Sequence, residues 1–129
     1  MEIEINTKSS EAVYAQIVSQ ITRAVQGGFL KPGYSLPPVR QLAGDLMINP
    51  NTVAKAYKQL ESARIVQGAG RKGTFVADQA KEFIEQNNSI DAKHELGTLL
   101  NSFKGRGISI EEISTLLFEQ INELKGTSS

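Results

Sequence analysis

Nine residues in the middle of the chain have the types and spacings that could do chemistry: Arg40, then Asn49, Pro50, Asn51 and Thr52 with Lys55 one turn later, then Arg71, Lys72 and Gly73. The chemistry they suit is recognition, not bond making. Short polar side chains at a helix start can reach base edges when that end enters a major groove. Asn51 both donates and accepts, which matches the N6 and N7 pattern of adenine. Thr52 can meet a phosphate or a thymine methyl, and Lys55 a phosphate or a guanine edge. Arg40 can clamp the backbone beside the groove. Arg71 and Lys72, flanked by Gly70 and Gly73, can enter a minor groove or hold its phosphates.

Each residue also has a plainer reading. Asn49 can serve only as a helix cap, and Asn51 and Thr52 as tolerated polar residues in a first turn. Arg40 can pair with Asp45 or Glu61. The glycines and cations of Gly68-Ala-Gly-Arg-Lys-Gly73 could cradle a nucleotide phosphate. Against that, no Gly-Lys-Ser/Thr element occurs and no helix follows directly.

Other chemistries lack their residues. The 129 residues contain no cysteine and one histidine, His94, so no disulfide, thiolate site or protein metal cage is expected. No paired carboxylates or Ser–His pairing stand at convincing spacing, and neither enzyme nor cofactor is expected. No apolar run approaches the roughly 20 residues that span a bilayer. The N-terminus lacks the apolar core of a secretion signal, so a cytoplasmic protein without membrane contact is expected.

The elements that must position these residues follow from periodicity. Glu2-Ile-Glu-Ile5 alternates as a short edge strand would. Ser9 or Ser10 offers an N-cap for a first helix whose face is Val13, Tyr14, Ile17, Ile21 and Val25, stopped at Gly27-Gly28. A second helix is expected over Pro38 to Met47, burying Val39, Leu42, Ala43 and Leu46. A third is expected from Pro50 to Ala63, capped by Asn49, with Val53, Ala56, Tyr57 and Leu60 inward and Asn51, Thr52, Lys55 and Lys58 outward. Ile65-Val-Gln67 and Thr74-Phe-Val76 flank a glycine-rich basic tip and read as a hairpin. Leu36 to Val76 is therefore a winged helix-turn-helix, and the fold class is mainly α with a small β-wing.

A formal net charge of zero conceals an asymmetry. Residues 1–77 carry nine Lys or Arg against five acids, and residues 78–129 carry five against nine. Such a division separates a part that meets a polyanion from one that does not. The expected domains are accordingly a DNA-binding domain over 1–77 and a helical domain over 78–129 for dimerisation, with an effector role open. In the second, Leu96, Leu99, Leu100 and Phe103 form one helical stripe, whereas Asn87-Asn-Ser89 leaves its continuity open. Ser109 and Glu112 make a capping box before a last helix with Ile113, Leu116, Leu117, Ile121 and Leu124 on one face. The tail from Gly126 is expected to fray. Several hundred Å² of apolar surface left in water would cost on the order of 10 kcal/mol against burial. A second copy is the expected cover, with the hairpin folding back on its own domain as the alternative. A protein-interaction adaptor is a competing reading of the winged unit, opposed by seven bases against two acids in residues 31–72.

Taken together, Tyr14-Ala-Gln-Ile17, Gly28-Phe-Leu-Lys-Pro-Gly33, Leu36-Pro-Pro-Val-Arg40-Gln-Leu-Ala43, Asn49-Pro-Asn-Thr-Val53, Ala56-Tyr57, Leu60-Glu61 and Gly73-Thr-Phe-Val76 resemble the GntR family of bacterial transcription regulators. The short segment after the wing resembles its YtrA-like branch. The resemblance implies a homodimeric repressor joined through two C-terminal helices, acting on a nearby operon, often of a transporter. It implies DNA contact at Arg40, Pro50, Asn51, Thr52, Ala54 and the wing from Arg71 to Gly73. Pro50 and Ala54 stand where many members carry arginine, so base contacts must differ. Pro38 replaces a common serine cap. Arg64 stands where glycine often turns the chain, which implies a looser turn or a strained residue. Arg71 occupies a frequent glycine position. The expected partner is double-stranded DNA with an inverted-repeat operator. Half-site centres would lie about one helical turn, ~34 Å, apart, or a multiple of it.

Overall fold

The structure, a computed structural model, describes residues 1–127. The elements are α1 (Val13–Gln26), α2 (Val39–Leu46), α3 (Pro50–Ser62), β1 (Val66–Gly68), β2 (Thr74–Val76), α4 (Ala80–Gly105) and α5 (Ile110–Thr127). One 3-10 turn, Gly70–Lys72, joins the strands. Two compact units divide after Asn88.

In the first unit, α1 buries Ile17, Ile21 and Val25, spaced four apart, and leaves Val13 and Tyr14 half-buried. The edge strand expected over residues 2–5 does not form. The segment pairs instead with two glutamine side chains. The Glu4 N–H donates to Gln20 Oε1 (3.0 Å) and Gln20 Nε2 donates to the Glu4 carbonyl (2.6 Å). Asn6 and Gln16 repeat the exchange at 2.8 and 3.0 Å. A carboxamide carries the same donor and acceptor as a peptide group. Two of them at i and i+4 stand one above the other on a helix. They can therefore serve alternate residues of an extended segment as a neighbouring strand would. Gln16, buried among apolar residues, spends its second amide hydrogen on the Glu11 carbonyl (2.9 Å). Neither serine caps α1: Ala12 holds the cap position without a side-chain bond, and Ser9 Oγ accepts from the Glu11 N–H.

Helix α2 begins one residue later than expected, because Pro38 is extended (ψ 150°) and takes the cap position. It ends on Met47, which is left-handed at φ 56°. The Met47 N–H donates to the Gly44 carbonyl and the Ile48 N–H to the Ala43 carbonyl. The same pair of bonds closes α3 at Arg64, φ 63°, to Glu61 and Leu60. Arg64 is thus the strained alternative of the two its position implied. Elsewhere this stop is made with glycine, at Gly28 and Gly107. A side chain in this conformation costs roughly 1–2 kcal/mol. Met47 is 90% exposed, so its side chain returns little packing energy. Met47→Gly is therefore expected to stabilise the protein by about 0.5–1 kcal/mol after the extra unfolded-chain entropy of glycine is deducted. Urea unfolding would show it, and a loss of stability would refute the strain argument.

The wing strands are antiparallel, with Val66 opposite Val76 and Gly68 opposite Thr74. A third segment lies against β2. The Gly33 N–H donates to the Val76 carbonyl, the Val76 N–H to the Tyr34 carbonyl and the Leu36 N–H to the Thr74 carbonyl. This ladder seats the wing on the chain leading into α2. The core gathers Ile17 and Ile21, Leu42, Val53 and Leu60, Val66 and Val76, and also Ala80 and Ile84 from the first turns of α4. The unit boundary therefore falls at Asn88 and not at residue 77. The first turns of α4 complete the apolar core that the wing and α1 leave open.

Helix α4 continues through Asn87-Asn-Ser89 without interruption. Asn87 Nδ2 donates to the Ala63 carbonyl (3.2 Å), so that asparagine satisfies the end of α3. In the second unit, Ser109 Oγ accepts the Glu112 N–H (3.1 Å) and opens α5 as expected. Ile113 is buried, and Leu100, Phe103, Ile108 and Leu117 are half-buried. Leu96, Leu99, Leu116, Phe118, Ile121 and Leu124 are exposed. Fraying expected from Gly126 is not seen at Gly126 and Thr127, which are helical; Ser128 and Ser129 lie outside the described residues.

Candidate nucleic-acid interface

Asn49 Oδ1 accepts the Asn51 N–H at 2.8 Å, and Pro50 follows at the first helical position. Capping commits the oxygen of Asn49 and sets the start of α3. From that start the helical period assigns faces. Val53, Ala56, Tyr57 and Leu60 are buried, while Asn51, Ala54, Lys55 and Lys58 are exposed on the opposite side. Thr52, expected outward, is half-buried, since it lies at the margin of the two faces.

Tyr57 holds α3 to the chain entering α2: its hydroxyl donates to the Pro37 carbonyl at 2.6 Å. Burial, with a smaller contribution from Tyr34, pushes the phenol's pKa up, so the group stays a donor. Arg40 is exposed on the first turn of α2 and, among the described residues, pairs with neither Asp45 nor Glu61. Glu61 lies against the wing instead, its Oε2 3.3 Å from where a Cβ on Gly68 would stand. Lys55 Nζ sits 4.0 Å from the centroid of the Tyr14 ring, a contact between α3 and α1 that periodicity does not foretell.

At the wing tip Arg71 and Lys72 are exposed on the 3-10 turn. Gly73 has φ 107° and ψ −158°, a region open essentially to glycine alone. Its carbonyl accepts the Ala69 N–H at 2.7 Å and closes the tip. All nine residues singled out from the sequence belong to the first unit, and all but Thr52 and Gly73 are exposed. Among the described residues no His, Cys, Asp and Glu cluster could hold a metal ion. No helix there is long and apolar enough to cross a membrane.

Three helices and a short antiparallel wing, with Arg40, Arg71 and Lys72 exposed on them, define a winged helix-turn-helix. Residues 13–76 match the family described as bacterial regulatory proteins, gntR family. The HTH-type transcriptional repressor YtrA of Bacillus subtilis (strain 168) is 34% identical over 124 residues, 96% of this chain and 95% of that protein. A crystal structure of a transcriptional antiterminator from Listeria monocytogenes EGD-e superposes with a TM-score of 0.67 at 33% identity, covering 93% of this chain and 90% of that one. The DNA-binding domain of AraR, solved in complex with an operator, gives a TM-score of 0.53 at 25% identity over 60% of this chain and 96% of that one. The chain belongs to the GntR family and is a DNA-binding transcription regulator.

Proposed function

We propose that the protein is a homodimeric, cytoplasmic repressor that reads an inverted-repeat operator near its own gene, with transporter genes the favoured targets. The reading rests above all on the α3 tip. Asn51 and Lys55 share its outward face, on a helix start fixed by the Asn49 cap and free of acidic residues in its first turn. Asn51 would read a base edge in the major groove, and Thr52, Arg40 and Lys55 would hold phosphates beside it. Arg71 and Lys72 would reach the adjacent minor groove, with Gly73 allowing close approach.

Pairing is proposed from the second unit. Its exposed Leu96, Leu99, Leu116 and Ile121 are the residues a second copy would cover, with Leu100, Phe103, Ile113 and Leu117 beneath them. A small-molecule effector would act there only by favouring one spacing of the two reading heads over another.

Arg40→Ala and Asn51→Ala should separate the two kinds of contact in a gel-shift titration against the protein's own promoter region. Arg40→Ala should weaken binding evenly across sequences and lower the salt slope by about one for each phosphate lost. Asn51→Ala should cost about 1–3 kcal/mol at one base position in each half-site. No salt-dependent shift with the unaltered protein, or none lost in either variant, would refute the reading.

A further inference from the structure

The contact between Lys55 and Tyr14 joins a residue of the proposed reading helix to a residue of α1, which otherwise only supports it. Lys55 shares its helix face with Asn51, one turn away, yet its ammonium does not lie over the middle of that face. It is drawn aside onto the Tyr14 ring, with Nζ 4.0 Å from the centroid. Lys55 is exposed while Tyr14 is half-buried, so the ring is the seat and the lysine head the group placed on it. A lysine stem loses much rotamer freedom when its head is immobilised. Here that loss falls in the free protein, before any duplex arrives. The ring occupies one side of the ammonium, and its remaining hydrogens are open to an acceptor.

We propose that Tyr14 is a positioning residue for DNA binding: its ring holds Lys55 at the α1 flank of α3, directing the ammonium to a backbone phosphate at the groove edge instead of a base. This rests on the DNA-binding reading above, in which Lys55 holds a phosphate, and adds to it what prepares that contact.

The test is a double-mutant cycle with Tyr14→Leu, Lys55→Gln and their combination, with Tyr14→Phe as the conservative variant. Affinity is measured over a range of salt for the promoter duplex and for a duplex of arbitrary sequence. Tyr14→Leu should weaken binding to both by about two- to fivefold per protomer, the range of an exposed cation–π contact. Tyr14→Phe should restore it. Lys55→Gln should weaken both duplexes alike and lower the salt slope by about one per protomer. In the Lys55→Gln background, Tyr14→Leu should have no further effect on binding.

A merely structural role for Tyr14 would instead carry its full loss into that background, and this overturns the proposal. So does a Lys55→Gln loss confined to the promoter duplex, which would mean base reading. A readout without DNA is the NMR shift of the Lys55 ε-methylene protons. Ring current should move them upfield in the unaltered protein and in Tyr14→Phe but not in Tyr14→Leu; unshifted protons in the unaltered protein overturn the proposal. Should that shift be present while the unaltered protein binds neither duplex, the DNA reading fails and the positioning claim falls with it, on visibly different grounds.

Discussion

Ile84→Ala should destabilise the first unit by about 2–5 kcal/mol, the usual range for emptying a fully buried aliphatic site. Ile84 is 2% exposed and belongs to the same core as Leu60 of α3 and Ile17 of α1. Typical domains hold only about 5–15 kcal/mol in reserve, so a loss of this size would be plain. All three tyrosines, Tyr14, Tyr34 and Tyr57, lie in the first unit and tryptophan is absent. Tyrosine fluorescence in a urea titration therefore reports on that unit alone. Ile90→Ala, at an exposed site a turn and a half further along α4, is the control and should stay within about 0.5 kcal/mol. Equal behaviour of the two variants would mean that the winged unit is complete without α4, as a boundary at residue 77 would have it.

The second large effect concerns pairing. Leu116→Asp places a charge on the exposed apolar face of α5, where the proposed partner would bury it. Sedimentation should then show a monomer where the unaltered chain is expected to run as a dimer. Losing the second head removes the effective-concentration advantage, so affinity for a two-half-site operator should fall by about 10²- to 10⁴-fold. Tyrosine fluorescence should be unchanged, since the first unit is untouched. Leu99→Asp on α4 should do the same. A monomeric unaltered chain, or variants that remain dimers with full operator affinity, would defeat the homodimer reading. An intermediate result, dimers that bind poorly, would place the lesion in the spacing of the heads and not in association.

What could be read from the residues in order was whatever depends on near neighbours. Asn49 and Pro50 announce the start of α3, and Asn49 caps it at 2.8 Å, because a cap is an arrangement of two or three consecutive residues. The buried positions of α1, α2 and α3 follow from spacing, although Val13, Tyr14, Val39 and Leu46 are half-buried, and the wing follows from two β-prone runs around a glycine-rich tip, its first strand one residue later than expected. Family resemblance rested on the same local signals.

Tertiary structure decided the rest, wherever a residue's partner is far along the chain. Gln16 and Gln20 look like polar interruptions of a helix; only the return of the N-terminal segment makes them substitutes for a strand. Lys55 can be singled out in the sequence as a cation one turn into α3, but nothing near it in the chain foretells that α1 brings Tyr14 against it. Ala80 and Ile84 are too few to announce a core face, and only the space left between α1 and the wing gives them one. Met47 and Arg64 take a conformation their side chains disfavour where α2 and α3 stop and the chain turns back, each turn closed by two backbone hydrogen bonds. Periodicity records which side of an element is apolar, but not which distant surface that side will meet, and in this protein the distant surfaces are what attach α3 to everything that holds it.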